Sequence, residues 1–459
     1  PYVNPDLADK RKNTVLSLMK QHGYITEKEM EEAQATSISS LVVENPENSI
    51  SDNPAYDSFI DKVTDELEEL GYNAYTDGLE VYTTMEPSAQ QKVYDLLNNE
   101  QGLFPDDKIQ SGVVLLDTKT GEIRAIGGGR NITVRRGFNY ATDIERQPGS
   151  TIKPILDYGP AIEYLKWSTG HILVDEPMTY NDGKTPIKNF DNRFHGPVTI
   201  RTALSYSYNI PAVKTLRAVG LDKARAFAVN LGIPLPETIL ESYAIGGFET
   251  GIAPIHLAGA FAAFGNSGYY TEPHFISKIV LNDGTEISLT PKTKEAMSSA
   301  TAFMITDMLK GVLTHGYGSY AAVSGVPIAG KTGTTNYTDK EIKEYNITDG
   351  VPDSWFVGYS TQYTAAIWLG YENKKNPVPE SARVIPPKLF SRIMAYVHQG
   401  KQVSDFQQPD TVVKVPLIKG TENMASPFTP KNQIIYEYFV KGYEPKSVSD
   451  ENIKVPAVT

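Results

Sequence analysis

The stretch Gln147-Pro148-Gly149-Ser150-Thr151-Ile152-Lys153-Pro154 constrains this chain more than any other. A Pro-Gly pair stops whatever precedes it, so Ser150 falls at or near the start of the next helix. Three residues make just under one helical turn, which sends Ser150 and Lys153 out from the same face. An amine is then within reach of a hydroxyl whose attack on a carbonyl requires a base. The start of a helix also points backbone N–H groups at any oxyanion that forms beside the serine.

With 459 residues, 40% of them hydrophobic, the chain suits two or three globular domains, one of them with a large core. The net charge of −12 argues against a general nucleic-acid-binding surface. Cysteine is absent, which excludes disulfides and thiol catalysis without fixing a compartment. No run of about 18 apolar residues occurs, so no segment reads as membrane-spanning. The chain starts at Pro1 with no initiator Met or signal peptide, and reads as part of a longer protein whose anchor would lie upstream. The histidines show no paired spacing. His171, His195, His256 and His315 read as isolated packing or surface residues, so neither a metal site nor a cofactor is expected.

Four regions are expected. Residues 1–39 carry two helices, the second opened by Thr26 and Glu29 as a capping box, and too little apolar surface for a core. Residues 40–105 mix short strands and helices as a small linker domain. Residues 106–409 form the main domain. It opens with a hairpin, Ser111–Asp117 and Glu122–Gly127, and closes with an antiparallel meander of Pro327–Gly330, Ser354–Tyr359 and Tyr363–Tyr371. Between these lie helices near 211–219, 221–231, 253–264 and 299–313. The polar stretch Asp339 to Asp353 reads as a loop near the cleft. Residues 410–459 form a peripheral extension with room for one short hairpin.

Two sets of short motifs occur in the same order. One is Ser17-Leu18-Met19-Lys20, Ser51-Asp52-Asn53 and Lys119-Thr120-Gly121. The other is Ser150 with Lys153, Ser207-Tyr208-Asn209 and Lys331-Thr332-Gly333-Thr334. Each pattern is short enough to arise about once by chance in a chain this long. Context separates them. Ser17 falls mid-helix with no breaker before it, and Lys119 to Gly121 sit at the tip of a hairpin, where a turn favours such residues. Ser150 follows a break, and Ser207 to Asn209 lie on a loop before a helix. Lys331 follows an apolar strand at a sheet edge. The second set can converge on one cleft.

At these residues the chain resembles the penicillin-binding proteins, specifically the transpeptidase part of a bifunctional class A member. Phe138-Asn139-Tyr140-Ala141, Arg201-Thr202-Ala203-Leu204, Asn209-Ile210-Pro211-Ala212-Val213 and Ile305-Thr306-Asp307-Met308-Leu309 support the likeness, which covers about 78–400. The opening, with Arg11 to Leu16 and Gly23 to Thr26, is similar to the end of the glycosyltransferase module that such proteins carry first. That module's acidic catalytic motif is absent, so no polymerase activity is expected.

The resemblance implies an α/β (α+β) fold of the serine β-lactamase/DD-peptidase type, with a five-stranded antiparallel sheet flanked by helices. It implies a peptidoglycan DD-transpeptidase in which Ser150 is the nucleophile and Lys153 the base. Ser207, Asn209 and Lys331 complete the catalytic set, and Thr332, Gly333, Thr334 and Thr335 bind substrate. The backbone N–H groups of Ser150 and Thr334 would form the oxyanion hole. Implied partners are D-Ala-D-Ala stem peptides as donors, amine-bearing stem peptides as acceptors, and β-lactams as covalent inhibitors. The implied location is the outer face of a bacterial cytoplasmic membrane. A serine β-lactamase would use the same residues and add a deacylating glutamate. Glu237, Glu241 and Glu249 lie in the right interval, but none sits in the expected Glu-x-x-x-Asn phrase, and the linker domain also argues against a compact lactamase. A non-catalytic β-lactam sensor is the other alternative.

Overall fold

Residues 110–117 read Gln-Ser-Gly-Val-Val-Leu-Leu-Asp, an apolar run too continuous for a strand with one wet face. In the structure, a computed structural model that describes residues 5–41, 53–132 and 136–446, this strand lies inside a sheet covered on both sides. The five strands are β1 (Gln110–Asp117), β2 (Ile123–Gly127), β3 (Ala329–Thr334), β4 (Asp353–Tyr359) and β5 (Tyr363–Gly370). Their spatial order is β3-β4-β5-β1-β2, antiparallel throughout. The ends of the chain segment thus meet in the middle, β5 pairing with β1 from Tyr363 opposite Asp117 to Gly370 opposite Gln110. β3, which carries Lys331 to Thr334, is left at an edge.

The two-residue period of the strands sorts the core. Val113, Leu115, Phe356, Ala365 and Ile367 face one way and pack with Leu389, Phe390, Ile393 and Met394 of helix Ile385–Val397. Val93, Leu96 and Leu97 of helix Pro87–Asn98 join the same layer. Val114, Leu116, Trp355, Val357 and Trp368 face the other way, into the larger core. Helices Pro254–Gly265 and Ser299–Lys310 supply Leu257, Phe261, Met304, Ile305 and Met308 there. Helix Asp57–Glu69 adds Phe59, Val63 and Leu67 to that core. Each such large side chain contributes about 1.5–3 kcal/mol on full burial, so the layers anchor the edge strand firmly.

Contacts divide the chain into two units, Pro1–Pro54 and Ala55–Thr459. In the first, helix Pro5–Gln21 is followed by helix Glu27–Ala35, which opens on the expected Thr26/Glu29 capping box, and neither buries a side chain. Ser17 lies within the first helix with its hydroxyl donating to the Asn13 carbonyl (2.8 Å), four residues back. Lys119 to Gly121 form the turn between β1 and β2. Ser51 and Asp52, of the remaining motif in that first set, lie outside the described residues. In the second unit, residues after 410 build a hairpin, β6 (Val412–Ile418) with β7 (Ile434–Val440). The stretch from Asp339, expected to be a loop, begins instead with a helix, Asp339–Tyr345. Its polar sequence hides the usual apolar stripe, but Thr338 and Glu341 close a capping box at its start.

Candidate active site

The segment after the Pro148-Gly149 break is helical but not α-helical at first. Gly149–Ile152 forms a 3₁₀ turn and Pro154–Tyr158 a π turn, before an α-helix begins at Gly159. Pro154 has no N–H to give to the Ser150 carbonyl, and Lys153 N–H takes that acceptor at the shorter spacing. Gly159 N–H then reaches back five residues to the Pro154 carbonyl. Gly159 has to be glycine for this, because a Cβ would lie 2.5 Å from that carbonyl oxygen and 2.9 Å from the Phe227 ring. Single π turns of this kind recur at functional sites.

The Ser150 turn is pressed against the edge strand β3, backbone to backbone. A Cβ on Gly149 (φ +55°) would stand 2.3 Å from the Thr334 carbonyl oxygen. One on Gly333 would stand 2.7 Å from the Pro148 carbonyl oxygen. Gly246 (φ +82°) closes the other side, its Cβ position 2.2 Å from the Gly149 carbonyl oxygen. Trp355 Nε1 donates to the Gln147 carbonyl (2.9 Å), and Gln147 Nε2 donates to the Phe248 carbonyl (2.8 Å). Arg146 and Ile252 exchange backbone hydrogen bonds just upstream. The nucleophile candidate is thus held by β3, β4 and the segment 246–252.

Three of the motif elements meet at two lysine amines, both buried. Lys153 Nζ donates to the Ser207 carbonyl (2.7 Å), the Tyr208 carbonyl (3.0 Å) and Asn209 Oδ1 (2.7 Å), with Ser207 Oγ at 3.4 Å. Lys331 Nζ donates to Ser207 Oγ (2.8 Å) and the Thr332 carbonyl (3.0 Å). Ser207 Oγ is therefore the bridge between the two lysines. Burial first, and the Lys331 charge second, hold the Lys153 amine well below the ordinary lysine range, against an opposite pull from Asp157. Burial likewise pushes Lys331 down to about 7. Three acceptors around Lys153 suit an ammonium. Once a proton leaves, the amine keeps two donors and a lone pair.

Thr332, Gly333 and Thr334 complete β3, paired with Phe356, Trp355 and Ser354 of β4. Gly333 carries no side chain where the Pro148 carbonyl and Thr151 Cγ2 come closest, so turn and strand can touch. Thr335, one residue past the strand, is tied to Asp353. Its Oγ1 donates to Asp353 Oδ2 (2.9 Å) and its N–H to the Asp353 carbonyl (3.3 Å). Trp368 Nε1 holds Asp353 Oδ1 (2.9 Å), and Arg146 Nη1 lies 3.6 Å from the same oxygen. Burial raises the Asp353 pKa, with Arg146 working the other way.

Several residues at the site carry no motif signal. Asp157 lies four residues after Lys153, fully buried, and neither carboxylate oxygen has a hydrogen-bond partner among the described residues. Burial pushes its carboxyl well above the usual range. An i, i+4 spacing from the motif lysine is the one sequence cue that could have found it. His171, His195 and His315, expected to be isolated, all have partners: Glu422, Asp175 with Asp191, and the Ser205 carbonyl respectively. Glu241 is committed to Arg217 (Nη2 to Oε2 2.9 Å) and to Asn181 N–H (2.9 Å), which occupies a carboxylate that a lactamase reading would call on.

Residues 111–395 match the penicillin binding protein transpeptidase domain family, and residues 408–454 match the penicillin-binding protein 1A C-terminal domain. The chain is 47% identical over 460 residues to penicillin-binding protein 1A/1B of Bacillus subtilis, covering 98% of this chain and 50% of that protein. It is 38% identical to penicillin-binding protein 1A of Streptococcus pneumoniae, covering 89% of this chain and 59% of that one. The chain therefore spans about half to two thirds of the length of these curated relatives. Among solved structures, penicillin-binding protein 1A from Haemophilus influenzae superposes with a TM-score of 0.73 at 20% identity, covering 96% of this chain and 83% of that one. The PonA1 protein from Mycobacterium tuberculosis, solved in complex with penicillin V, gives 0.67 at 23% identity, covering 77% and 96%. At these identities the structural likenesses establish the fold.

Proposed function

The chain belongs to the penicillin-binding protein transpeptidase family, in the class A branch of its 1A relatives, and from that premise we propose that it cross-links peptidoglycan stem peptides through an acyl-enzyme on Ser150. The observation that carries this reading is the pair of buried amines, Lys153 and Lys331, joined through Ser207 Oγ beside the Ser150 turn. Ser150 Oγ attacks the penultimate D-Ala carbonyl of a donor ending in D-Ala-D-Ala, and Lys153, as the neutral amine, takes its proton. The C–O bond forms, the C–N bond breaks, and the proton passes through Ser207 to the departing D-Ala amine. An amine of a neighbouring stem peptide then takes the acyl group. Water in its place gives carboxypeptidase activity.

Asn209 orients the donor amide while its Oδ1 faces Lys153. Lys331, with the hydroxyls of Thr332 and Thr334 on the edge strand, receives the terminal carboxylate. Thr335, expected among the substrate-binding residues, has its hydroxyl and N–H taken by Asp353 and steadies the end of that strand. Backbone N–H groups of Ser150 and Thr334 stabilise the oxyanion, at about 3–4 kcal/mol per donor in enzymes of this chemistry. β-Lactams enter by the same attack and stay, because ring opening leaves no departing group. The same reading places the enzyme on the outer face of the cytoplasmic membrane, where its substrate lies. It also divides the chain at about 39, 105 and 409 into glycosyltransferase remnant, linker, transpeptidase and C-terminal extension.

Intact-mass spectrometry after incubation with benzylpenicillin, followed by peptide mapping, tests the proposal. A covalent adduct on the Ser150 peptide lasting hours, and absent in Ser150→Ala, is the expected result. An adduct that disappears within seconds while hydrolysed product accumulates would mark a β-lactamase. No adduct at Ser150 removes the reading altogether.

A further inference from the structure

Ser207 has a φ of +60°, a left-handed conformation that costs a non-glycine residue about 1–2 kcal/mol. The conformation turns both its carbonyl and its hydroxyl toward Lys153 Nζ. Strain of this sort persists only where the surroundings hold it. What holds it here is a loop that none of the motifs includes, residues 188–195, between the short strands Pro186–Ile187 and Gly196–Thr199.

Asn189, buried, spends every polar atom of its side chain on this task. Its Oδ1 accepts from the Asn209 N–H (2.7 Å) and the Ile210 N–H (3.4 Å). Its Nδ2 donates to Asp175 Oδ2 (2.8 Å) and to the Arg193 carbonyl (2.8 Å). The neighbouring Lys188 carbonyl accepts from Asn209 Nδ2 (2.8 Å), which leaves Asn209 Oδ1 as the atom that faces Lys153. Asp175 is the hub. Besides Asn189, its Oδ2 accepts from the His195 N–H (3.0 Å) and pairs with His195 Nδ1 (2.7 Å). The His195 ring then lies flat on Tyr208, centroids 4.0 Å apart and planes 14° apart. Tyr206 continues the stack from Tyr208, and His315 covers Tyr206 at 4.2 Å while its Nε2 meets the Ser205 carbonyl.

We propose that Asn189, Asp175 and His195 are positioning residues for the reaction, setting the Ser207–Asn209 backbone and the Asn209 side-chain rotamer so that the Ser207 and Tyr208 carbonyls and Asn209 Oδ1 all meet Lys153. None of the three touches Lys153 or Ser150; they act through Asn209 and Tyr208. A loop serving only to tie the fold together would not have to spend both ends of one amide between the Asn209 N–H and a buried carboxylate. The proposal rests on the transpeptidase reading for its functional consequence, but its geometric claim stands apart from that reading.

Rapid-mixing acylation with a fluorescent penicillin separates the limiting acylation rate, the noncovalent dissociation constant and the final labelled fraction. Asn189→Leu should lower the limiting rate by about 10–100-fold, the scale of a misplacement near 1 Å. The dissociation constant should stay within about threefold and the labelled fraction near that of the wild type. His195→Leu should show a smaller loss of the same kind, partly restored in His195→Phe, which keeps a ring on Tyr208. An unchanged limiting rate, or a loss confined to the labelled fraction as partial misfolding would give, overturns the proposal. A crystal structure of Asn189→Leu tests the geometric claim without any ligand. Asn209 Oδ1 should leave Lys153 Nζ, and an unmoved Ser207–Asn209 backbone overturns the proposal even if the wild type is never acylated. Should Asn189→Leu fail to fold, the His195→Leu and His195→Phe pair decides by the same two readouts.

Discussion

Gly246 lies within a contact that admits no side chain. Three backbones are stacked there, Gly246 on Gly149 and Gly149 on Thr334, with hypothetical Cβ positions 2.2 and 2.3 Å from the next carbonyl oxygen. Both glycines are also left-handed, so a substitution adds backbone strain to the collision. Gly246→Ala should therefore part the Ser150 turn from the 246–252 segment or crowd it against β3, shifting the turn from its seat rather than simply filling space. We expect a stability loss of about 1–3 kcal/mol in urea unfolding. The Ser150 acylation rate should fall further than that loss of folded protein explains. A variant with wild-type acylation and wild-type unfolding midpoint would mean that the turn is not seated as described. The same reasoning separates Gly246 from Gly220, whose added Cβ would meet nothing within 4 Å and whose replacement would bear the cost of φ alone.

At the scale of elements, the helix Pro254–Gly265 supplies a pH dependence that belongs to folding rather than to catalysis. His256 sits in its first turn, and its Nδ1 accepts from the Ala253 N–H (3.1 Å). An imidazolium has no lone pair to accept with, and the helix N-terminus disfavours positive charge. Burial holds the His256 pKa down to about 4. The unfolded chain takes up that proton near 6.5, so between pH 4 and 6.5 the unfolded state binds more protons. Stability from this group is present above pH 6.5 and is lost as pH falls toward 4, by at most about 3 kcal/mol. His256→Gln keeps an acceptor for the Ala253 N–H and removes the titration. Its unfolding free energy should vary less with pH than the wild type's over this window, and equal slopes would rule the assignment out. Much at this scale was legible in the sequence, because the cues are local. The Pro148-Gly149 break, the Thr26/Glu29 box and the alternation around 111–127 each act within a few residues. The helix at Asp339 escaped because it lacks an apolar stripe, though its Thr338/Glu341 box was there to be read. The π turn and the Asn189–Asp175–His195 chain escaped for a different reason. They depend on partners 14 to 20 residues away or on a glycine five residues on, and no short pattern encodes such a meeting.

The whole molecule shows why residues beyond 410 concern the cleft at all. The hairpin β6–β7 carries Glu437, nearly buried, to the helix Ile200–Ser205, whose end lies two residues before Ser207. Glu437 Oε2 accepts from Arg201 Nε (2.8 Å) and from Thr169 Oγ1 (2.5 Å), while Arg201 Nη1 also pairs with Asp307 (2.6 Å). Thr169 is bonded twice more to the hairpin, its N–H donating to the Tyr438 carbonyl and its Oγ1 accepting from the Tyr438 N–H. Gly170 makes room for this, since a Cβ there would sit 2.7 Å from Glu437 Cγ. The Tyr438 ring meets Phe303 edge-on at 5.2 Å. Through Arg201, the Glu437 carboxylate thus joins the last hairpin to a helix of the large core and to the helix that leads into the second motif. Removing it in Glu437→Ala leaves Arg201 with Asp307 as its one carboxylate beside Thr169 Oγ1 (3.1 Å), and leaves the Thr169 hydroxyl without its acceptor. Breaking a buried pair from one side costs about 3–5 kcal/mol. Arg201 keeps some solvent, which places the expected loss near the lower end, about 3 kcal/mol in chemical unfolding. Arg201→Met alone should cost less than Glu437→Ala, because it strands two carboxylates that retain other donors or water. The double variant should be more stable than the sum of the two single losses by at least about 1 kcal/mol, the coupling of groups that share one network. Strict additivity would mean that the hairpin rests on its apolar contacts and that Glu437 contributes nothing to seating the helix before Ser207.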